Sequence, residues 1–412
     1  MALGVVLPCA LAQTAEDQAW LDAAEVRIRE HRMAELKFIV LDGADRAATG
    51  AVVQVEQMAH QFELGFTLAA DGPPLPECFD ANAPGWRIFN AVSLHRRTGW
   101  RSLQPRGPEG FETRRVRAAL TAAAGVGLKA RWGNVMPGTV VDLPEWVVPL
   151  RGAKLHRAAS DYLNRVVRTY GHAVTGLDLA GQPVAGRLGP ALVRQLQQEA
   201  DALAPGTPLN LAFDGALHGP SAVDAWAQAD AAGKQFVGHA GLVLGDYLPS
   251  PLPDDLDVTL HRWGRLGLPA VIAPLEVGGA PEVGAGPGLR RAMWSLFAQP
   301  WVKGIYFDGP MPSTAGDPTA VLFESSGVPT EAGLVLEELF GKTWWTKLST
   351  SADARGHAKA RVFLGRHRVT VTLPDGSQFG TTLWVGDGVG DQSAASRTVV
   401  LQPVEAQDVT GH

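Results

Sequence analysis

The segment VTGLDLAGQPVAGRLGPALVRQLQQEADALAPGTPLNLAFD, from Val174 to Asp214, decides the fold. Two short apolar runs lie at its ends, Val174 to Leu179 and Leu209 to Phe213, and both are typical of buried strands. Between them, Leu188 to Leu203 repeats apolar residues at three- and four-residue spacing, which predicts a helix. A strand, a helix and a second strand in this order form the unit of parallel sheets.

The same alternation recurs between Trp86 and Gly341. Further predicted strands are Ile88 to Val92, Leu128 to Arg131, Gln235 to Gly238, Ala270 to Leu275 and Gly304 to Phe307. The stretch before Asp257 is the candidate for a missing eighth strand. Repeated units of this kind over about 250 residues predict a (β/α)8 TIM barrel of the α/β class.

Small β-rich modules are predicted on both sides of the barrel. Residues 13–85 begin with a helix from Glu16 to Met33, and alternating runs then predict an antiparallel sheet: Leu36 to Leu41, Val52 to Met58 and Phe62 to Leu68. Residues 342–412 alternate again and are predicted to form a C-terminal β module and tail. The predicted barrel domain therefore covers residues 86–341.

The first twelve residues, MALGVVLPCALA, are apolar and end in the small-x-small pattern Ala10-Leu11-Ala12. Such a run predicts a signal peptide that is cut before Gln13, and hence a secreted or periplasmic protein. An ordinary buried segment is the alternative, because the positively charged start of a signal peptide is missing. No other apolar stretch reaches the roughly 20 residues that span a bilayer, so we do not expect a membrane-spanning protein.

Charge and cysteine content argue against several classes of partner. The net charge is −6 and the pI is about 6.0, without a basic run, so we expect no nucleic-acid binding. The two cysteines lack the CxxC or Cys/His spacing of a zinc site, and the Gly-rich segments lack a phosphate-loop motif. We therefore predict no metal and no cofactor.

An ordered series of motifs resembles family 10 glycoside hydrolases, the endo-β-1,4-xylanase family. The series includes FNAVSLHRRTGWRSLQP from Phe89 to Pro105, LPEWV from Leu143 to Val147, and LDLAGQ from Leu177 to Gln182. Each motif is weak alone, and their common order and spacing carry the resemblance. It implies a (β/α)8 barrel and a polysaccharide partner, xylan or another β-glycan.

The resemblance also places the family's two catalytic glutamates, and both positions hold other residues. The proton donor corresponds to Gln182, and the nucleophile corresponds to Pro274 in the run IAPLE. Retaining glycosidases need two carboxyl groups about 5–5.5 Å apart. An amide does not act as a general acid near neutral pH, and proline offers no nucleophile. We therefore expect no catalytic residue at either position.

Three other carboxylates, Asp178, Glu276 and Asp308, lie near predicted strand ends and are possible substitutes. A buried supporting role is the competing interpretation for Asp178 and Glu276.

Sugar contacts are predicted at three further residues. Trp100 and Trp132 are predicted near the barrel mouth, where indole rings stack on sugar faces. His239 lies in a Val-Gly-His run that resembles the family's Gln-Gly-His, and it is either a sugar contact or a structural residue.

Three functions follow from these residues. Loss of both glutamates favours an inactive barrel that binds a carbohydrate or a partner protein. The first alternative is an active polysaccharide-degrading glycosidase that uses displaced carboxylates, and the second is a structural component of the cell envelope. Because one fold hosts many functions, the arrangement of carboxylates at the barrel mouth has to discriminate between them.

Overall fold

The computed structural model describes residues 15–68, 75–76, 79–80, 83, 85–94, 99–136, 143–180, 194–196, 198–205, 207–233, 241–249, 252–278, 286–309, 322–386 and 396–402. The predicted signal peptide therefore lies outside the described residues. The chain divides into two compact units. The first comprises Met1–Gln18 and Glu63–Glu337, and the second comprises Ala19–Phe62 and Glu338–His412.

The described strands and helices are numbered in chain order. The strands are β1 (Met33–Val40), β2 (Val52–His60), β3 (Glu63–Thr67), β4 (Ala91–Ser93), β5 (Lys129–Met136), β6 (Leu177–Ala180), β7 (Leu209–Asp214), β8 (Gly241–Leu248), β9 (Ala270–Val277), β10 (Val302–Asp308), β11 (Lys347–Ser351), β12 (His357–Phe363), β13 (Gly365–Thr372), β14 (Gln378–Val385) and β15 (Ser396–Leu401). The helices are α1 (Ala15–His31), α2 (Trp100–Leu103), α3 (Arg114–Gly125), α4 (Gly152–Tyr170), α5 (Gly219–Gly233), α6 (Leu256–Gly264), α7 (Gly286–Phe297) and α8 (Glu331–Glu338).

The first unit contains a closed barrel of eight parallel strands. Strands β3 to β10 follow one another around it in chain order, and β10 closes the ring by pairing with β3. Helices α3 to α7 lie between successive strands along the chain. The predicted (β/α)8 fold is therefore confirmed.

The structure corrects two predicted strands. Phe62 to Leu68 was assigned to the antiparallel sheet, but Glu63–Thr67 is the first barrel strand and pairs in parallel with β4 and β10. Four of its five residues are buried, as expected for a strand covered on both faces. It supplies the missing eighth strand, so the barrel begins before the predicted residue 86.

The sixth barrel strand is Gly241–Leu248, whereas the prediction placed a strand at residues 235–238, which lie outside the described residues. Its glycines resemble turn signals in the sequence, but both face crowded positions inside the barrel. A Cβ atom at Gly241 would overlap the Asn210 side chain, and one at Gly245 would lie 3.0 Å from Asp214 Oδ1. The strand therefore carries glycine at these two positions because a larger side chain would press against its neighbours.

The second unit joins both flanks of the chain in two sheets. Strand β1 lies between β12 and β15, and the other sheet has the order β11-β2-β13-β14. Residues alternate between buried and partly exposed along β1, and apolar side chains from both sheets share one core. The β-rich flanks are thus confirmed, but they form one unit rather than two modules. Within the residues that the structure describes, no helix is long and apolar enough to cross a membrane.

Two histidines are buried in the second unit. His60, on β2, lies 3.1 Å from Gln57 Nε2, and His367, on β13, lies 3.2 Å from the Gly365 carbonyl oxygen. Burial lowers the pKa of both imidazoles to about 4. Both rings are therefore neutral in the folded protein near pH 7.

We expect the second unit to lose stability as the pH falls from about 6.5 to about 4. In that range the histidines of the unfolded chain bind protons, whereas those of the folded unit do not. The free energy of unfolding therefore falls by on the order of 3 kcal/mol per histidine. Urea unfolding at a series of pH values measures this slope. His367→Gln should flatten it, whereas the exposed His357→Gln control should keep the wild-type slope. A stability independent of pH over this range would contradict the prediction.

Candidate functional site

The barrel interior contains a buried ion pair between neighbouring strands. Arg131 Nε on β5 donates to Asp178 Oδ2 on β6 at 3.0 Å, and a terminal guanidinium nitrogen donates to Oδ1. Asn210 Nδ2 on β7 also donates to Asp178 Oδ1, at 3.2 Å. Burial alone would lower the pKa of Arg131, but the charge and hydrogen bond of Asp178, together with the nearby Tyr306 and Glu63, outweigh burial and raise the pKa. Asp178 is thus held between two donors inside the barrel.

A second polar group fills the interior beside this pair. The Tyr306 hydroxyl donates to Glu63 Oε2 at 2.7 Å, and Lys129 Nζ lies 3.4 Å from Glu63 Oε1. Burial raises the pKa of Tyr306 well above its ordinary value. Gly65 leaves room for the phenol ring, since a Cβ atom there would lie 2.5 Å from it. The interior is a packed polar core rather than a channel.

The C-terminal ends of the strands form the barrel mouth, where enzymes of this fold place their active sites. In the β8–β9 pairing, Asp246 lies opposite Leu275 and Tyr247 lies opposite Glu276. Paired residues of neighbouring strands project to the same side of the sheet, and successive residues of one strand alternate between its two sides. Tyr247 and Glu276 therefore lie on the side opposite to Leu275, which is buried. Tyr247 and Glu276 therefore face the mouth, where both are exposed.

Two of the proposed substitute carboxylates lie at this mouth. On β10, Phe307 pairs with the buried Leu275, so by alternation the next residue, Asp308, points to the same side as Glu276. Asp308 is half-buried, whereas Glu276 is exposed. The structure thus separates Glu276 and Asp308 from the third candidate, Asp178, which lies in the interior.

Pro274 interrupts the strand at the position that the resemblance gives to the nucleophile. Between Ile272 and Leu275, the pairing register of β9 shifts against both of its neighbouring strands, β8 and β10. The Ala273–Pro274 peptide bond is cis. Pro274 itself is half-buried. Beyond this irregularity, the first carboxylate on the strand is Glu276. Gln182, at the position that the resemblance gives to the proton donor, lies outside the described residues.

A histidine–aspartate pair between the segment after β7 and the end of β8 was not predicted, and its Asp246 lies on the Leu275 side of the sheet, opposite to Tyr247 and Glu276. His218 follows β7, and its Nδ1 lies 3.2 Å from Asp246 Oδ2 on β8. The Leu217 backbone N–H donates to the same oxygen, and the Tyr247 N–H donates to Oδ1 at 2.8 Å. The Asp246 side chain is 6% exposed and that of His218 is 30% exposed. The one sequence signal for the pair was an aspartate near the end of an apolar run.

The two tryptophans predicted to stack on sugars are core residues. Trp100 is 1% exposed, and its ring stacks on Tyr162 at a centroid distance of 4.8 Å. Its indole N–H donates to Gln104 Oε1 at 2.8 Å. Trp132 is 0% exposed and packs against Tyr170 at 5.0 Å. The prediction is wrong because the apolar face of α4 carries both tyrosines and covers these indoles. His239 lies outside the described residues.

The fold and the residues at the barrel mouth define a structural class. It is an eight-stranded parallel barrel that carries carboxylates and an exposed aromatic ring at the C-terminal ends of its strands. Solved structures of family 10 xylanases share this fold. Xylanase 10B from Thermotoga petrophila RKU-1, in complex with xylobiose, has a TM-score of 0.59 and 15% identity, over 69% of this chain and 95% of that chain. A glycosylated endo-beta-1,4-xylanase of family 10 from Gloeophyllum trabeum has a TM-score of 0.57 and 18% identity, over 68% and 96%.

Two curated proteins are similar over most of this chain. Endo-1,4-beta-xylanase 2 of Arabidopsis thaliana is 21% identical over 86% of this chain and 33% of its own length. Anti-sigma-I factor RsgI6 of Acetivibrio thermocellus is 22% identical over 90% of this chain and 49% of its own length. The chain thus spans a third to a half of these relatives. No family model matches the chain. The resemblance to family 10 xylanases is confirmed, and at these identities it shows the fold.

We expect Asp178→Ala to destabilise the barrel by about 3–5 kcal/mol, because Arg131 would remain buried without its counter-charge. Denaturant unfolding followed by tryptophan fluorescence measures the change. Asp214→Ala, an exposed aspartate on the next strand, is the matched control and should change stability by about 0.5 kcal/mol or less. Equal stability of the two variants would show that the ion pair does not support the barrel.

Proposed function

We propose that the barrel mouth binds a β-linked polysaccharide of the xylan type and does not hydrolyse it. The observation that carries this proposal is Pro274, half-buried in a strand interruption where the resemblance places the nucleophile. Proline supplies no group that attacks an anomeric carbon. Gln182, at the proton-donor position, supplies no general acid. Both steps of a retaining mechanism then lack their residue.

Carbohydrate as the ligand class is supported by two observations. The xylanase from Thermotoga petrophila with the same fold is described in complex with xylobiose. In this chain, the exposed Tyr247 at the mouth offers an aromatic face of the kind that packs on the C–H faces of sugar rings. One relative is named as an anti-sigma-I factor, so proteins named for regulation also share this sequence similarity.

Export from the cell belongs to the same proposal. It is supported by the apolar run of the first twelve residues and its Ala-Leu-Ala ending.

Hydrolysis by displaced carboxylates is the second candidate, and the placement of Glu276 favours it. Glu276 is exposed, pairs in register with Tyr247, and shares the mouth with Asp308. These two residues are the only substitutes to consider among the three predicted ones, because Asp178 is committed to Arg131 and Asn210 in the interior. A turnover assay distinguishes this candidate from the binding proposal.

We expect no release of reducing sugar from xylan above background by the purified protein, because nucleophile and proton donor are both absent. An active family 10 xylanase provides the positive control. Glu276→Gln, Asp308→Asn and the control Asp224→Asn, at an exposed aspartate on α5, should all be indistinguishable from the wild type. Turnover that is lost in Glu276→Gln or Asp308→Asn but kept in Asp224→Asn would replace the binding proposal by the second candidate.

A further inference from the structure

We propose that the outer edge of strand β14 binds an extended, acidic segment of a partner protein, which adds to the sheet as a further strand. Strand β14 is the last strand in the sheet of order β11-β2-β13-β14. This sheet belongs to the second unit rather than to the barrel, so the inference does not depend on the proposed function.

The backbone of β14 has open hydrogen-bonding groups along its outer side. In an antiparallel pair, residue pairs that exchange hydrogen bonds alternate with pairs that do not. The Leu373 N–H donates to the Ser377 carbonyl at 2.9 Å, so the bonded pairs of the β13–β14 register recur at the odd-numbered positions of β14. The N–H and C=O groups of Gly380 and Thr382 therefore point away from β13. Both residues are exposed, and within the described part of the chain no backbone group bonds to them from the outer side.

The side chains of β14 do not protect this edge. Proteins usually protect an exposed edge strand with charged side chains, proline or a bulge. The other outer strands of the two sheets, β11, β12 and β15, all carry a lysine or an arginine: Lys347, Lys359, Arg361 and Arg397. Strand β14 has the sequence QFGTTLWV, without charge or proline, and its register with β13 is unbroken. Another strand can therefore add to it without displacing a charged group.

Two arginines on β13 lie beside this edge. Arg366 pairs in register with Trp384, and Arg368 pairs with Thr382. Both arginines are exposed, and neither makes an ion pair with a described residue. The outer face of the sheet is therefore positively charged next to β14, although the net charge of the chain is −6. This local charge favours an acidic partner.

Carboxylates on an added strand can reach these arginines. Glu56, which lies opposite Arg368 on β2, is paired with Lys347, whose Nζ lies 3.5 Å from Glu56 Oε1. An added strand would lie about 10 Å from β13, which is two interstrand spacings. Extended arginine and glutamate side chains together cover this distance, and only the small side chain of Thr382 lies between Arg368 and the added strand. Trp384, which is 46% exposed on the same face, offers an apolar contact to a neighbouring residue of the partner.

A second copy of β14 is the alternative occupant of the edge. It would use the open backbone groups but would leave both arginines without a counter-charge. An acidic segment uses both features, because main-chain hydrogen bonds supply affinity and carboxylates at alternate positions supply specificity. The observations therefore favour the acidic segment.

Amide hydrogen exchange, measured by NMR on the full chain, tests the edge directly. The probe is a synthetic eight-residue peptide that alternates glutamate and valine. We expect saturation with this peptide to slow exchange of the Gly380 and Thr382 N–H groups at least about tenfold, because the added backbone accepts their hydrogen bonds. The Thr381 and Leu383 N–H groups already face β13 and are the internal controls. A peptide of equal charge with proline in place of valine cannot add as a strand, so it should protect neither group.

The affinity of the same peptide, measured by fluorescence anisotropy, tests the residues. Thr382→Pro removes an outward N–H but no bond to β13, so it should weaken binding at least about tenfold. The matched control is Ser349→Pro on the opposite edge strand β11, where the N–H also points away from the neighbouring strand. Arg366→Gln combined with Arg368→Gln should weaken binding about fivefold, whereas Lys359→Gln on β12 should not change it. Thermal unfolding verifies the fold of each variant, and the arginine variant remains decisive if Thr382→Pro does not fold.

Several outcomes would overturn the inference. Unchanged exchange at Gly380 and Thr382 at the highest peptide concentration, or binding that Thr382→Pro leaves unchanged, would exclude the edge site. Equal affinity for a peptide that alternates lysine and valine would exclude an acidic partner. Slow exchange of both amides in the free protein, together with a dimer in sedimentation velocity that Thr382→Pro abolishes, would replace the partner by a second copy. Polygalacturonate that displaces the peptide and binds Thr382→Pro as tightly as the wild type would replace it by an anionic polysaccharide.

Discussion

The buried pair of Arg131 and Asp178 is the constraint on which much of the barrel depends. Two opposite charges on neighbouring strands, both almost fully buried, are tolerated only when they satisfy each other and when further groups complete their hydrogen bonds. Asn210 on the next strand does so for Asp178. Strands β5, β6 and β7 are thereby held in one register. The pair also requires space, which small residues such as Gly176 provide by facing the guanidinium.

This arrangement determines which carboxylates remain for function. Asp178 is buried and bonded to Arg131 and Asn210, so it has no access to a ligand. The carboxylates that contact solvent lie at the C-terminal ends of the strands from β7 to β10. There the register shift around Pro274 brings Glu276 opposite Tyr247. The chemistry of the mouth thus follows from the packing of the interior and from one irregular strand.

Asp246 repeats the same physical principle at the edge of the barrel. Its almost buried carboxylate is stable because it accepts three hydrogen bonds. The donors lie in the loop after β7 and at the end of β8, and the bonds hold these two segments in place. Asp246 therefore contributes to the organisation of the loop after β7 and of the end of β8.

The sequence by itself determined the repeated strand–helix order and the barrel, and it placed Gln182 and Pro274 at the two positions that the resemblance assigns to the catalytic glutamates, because periodicity and residue identity are local properties. It also indicated strand ends at Glu276 and Asp308. Only the tertiary structure decided that Glu63–Thr67 joins the barrel, since an alternating run looks alike whether its partner is parallel or antiparallel. Burial of Trp100 and Trp132 was equally hidden, because it depends on the tyrosines of a later helix. The pairing of His218 with Asp246 joins residues on successive barrel units, and such contacts arise only when the strands close into a ring.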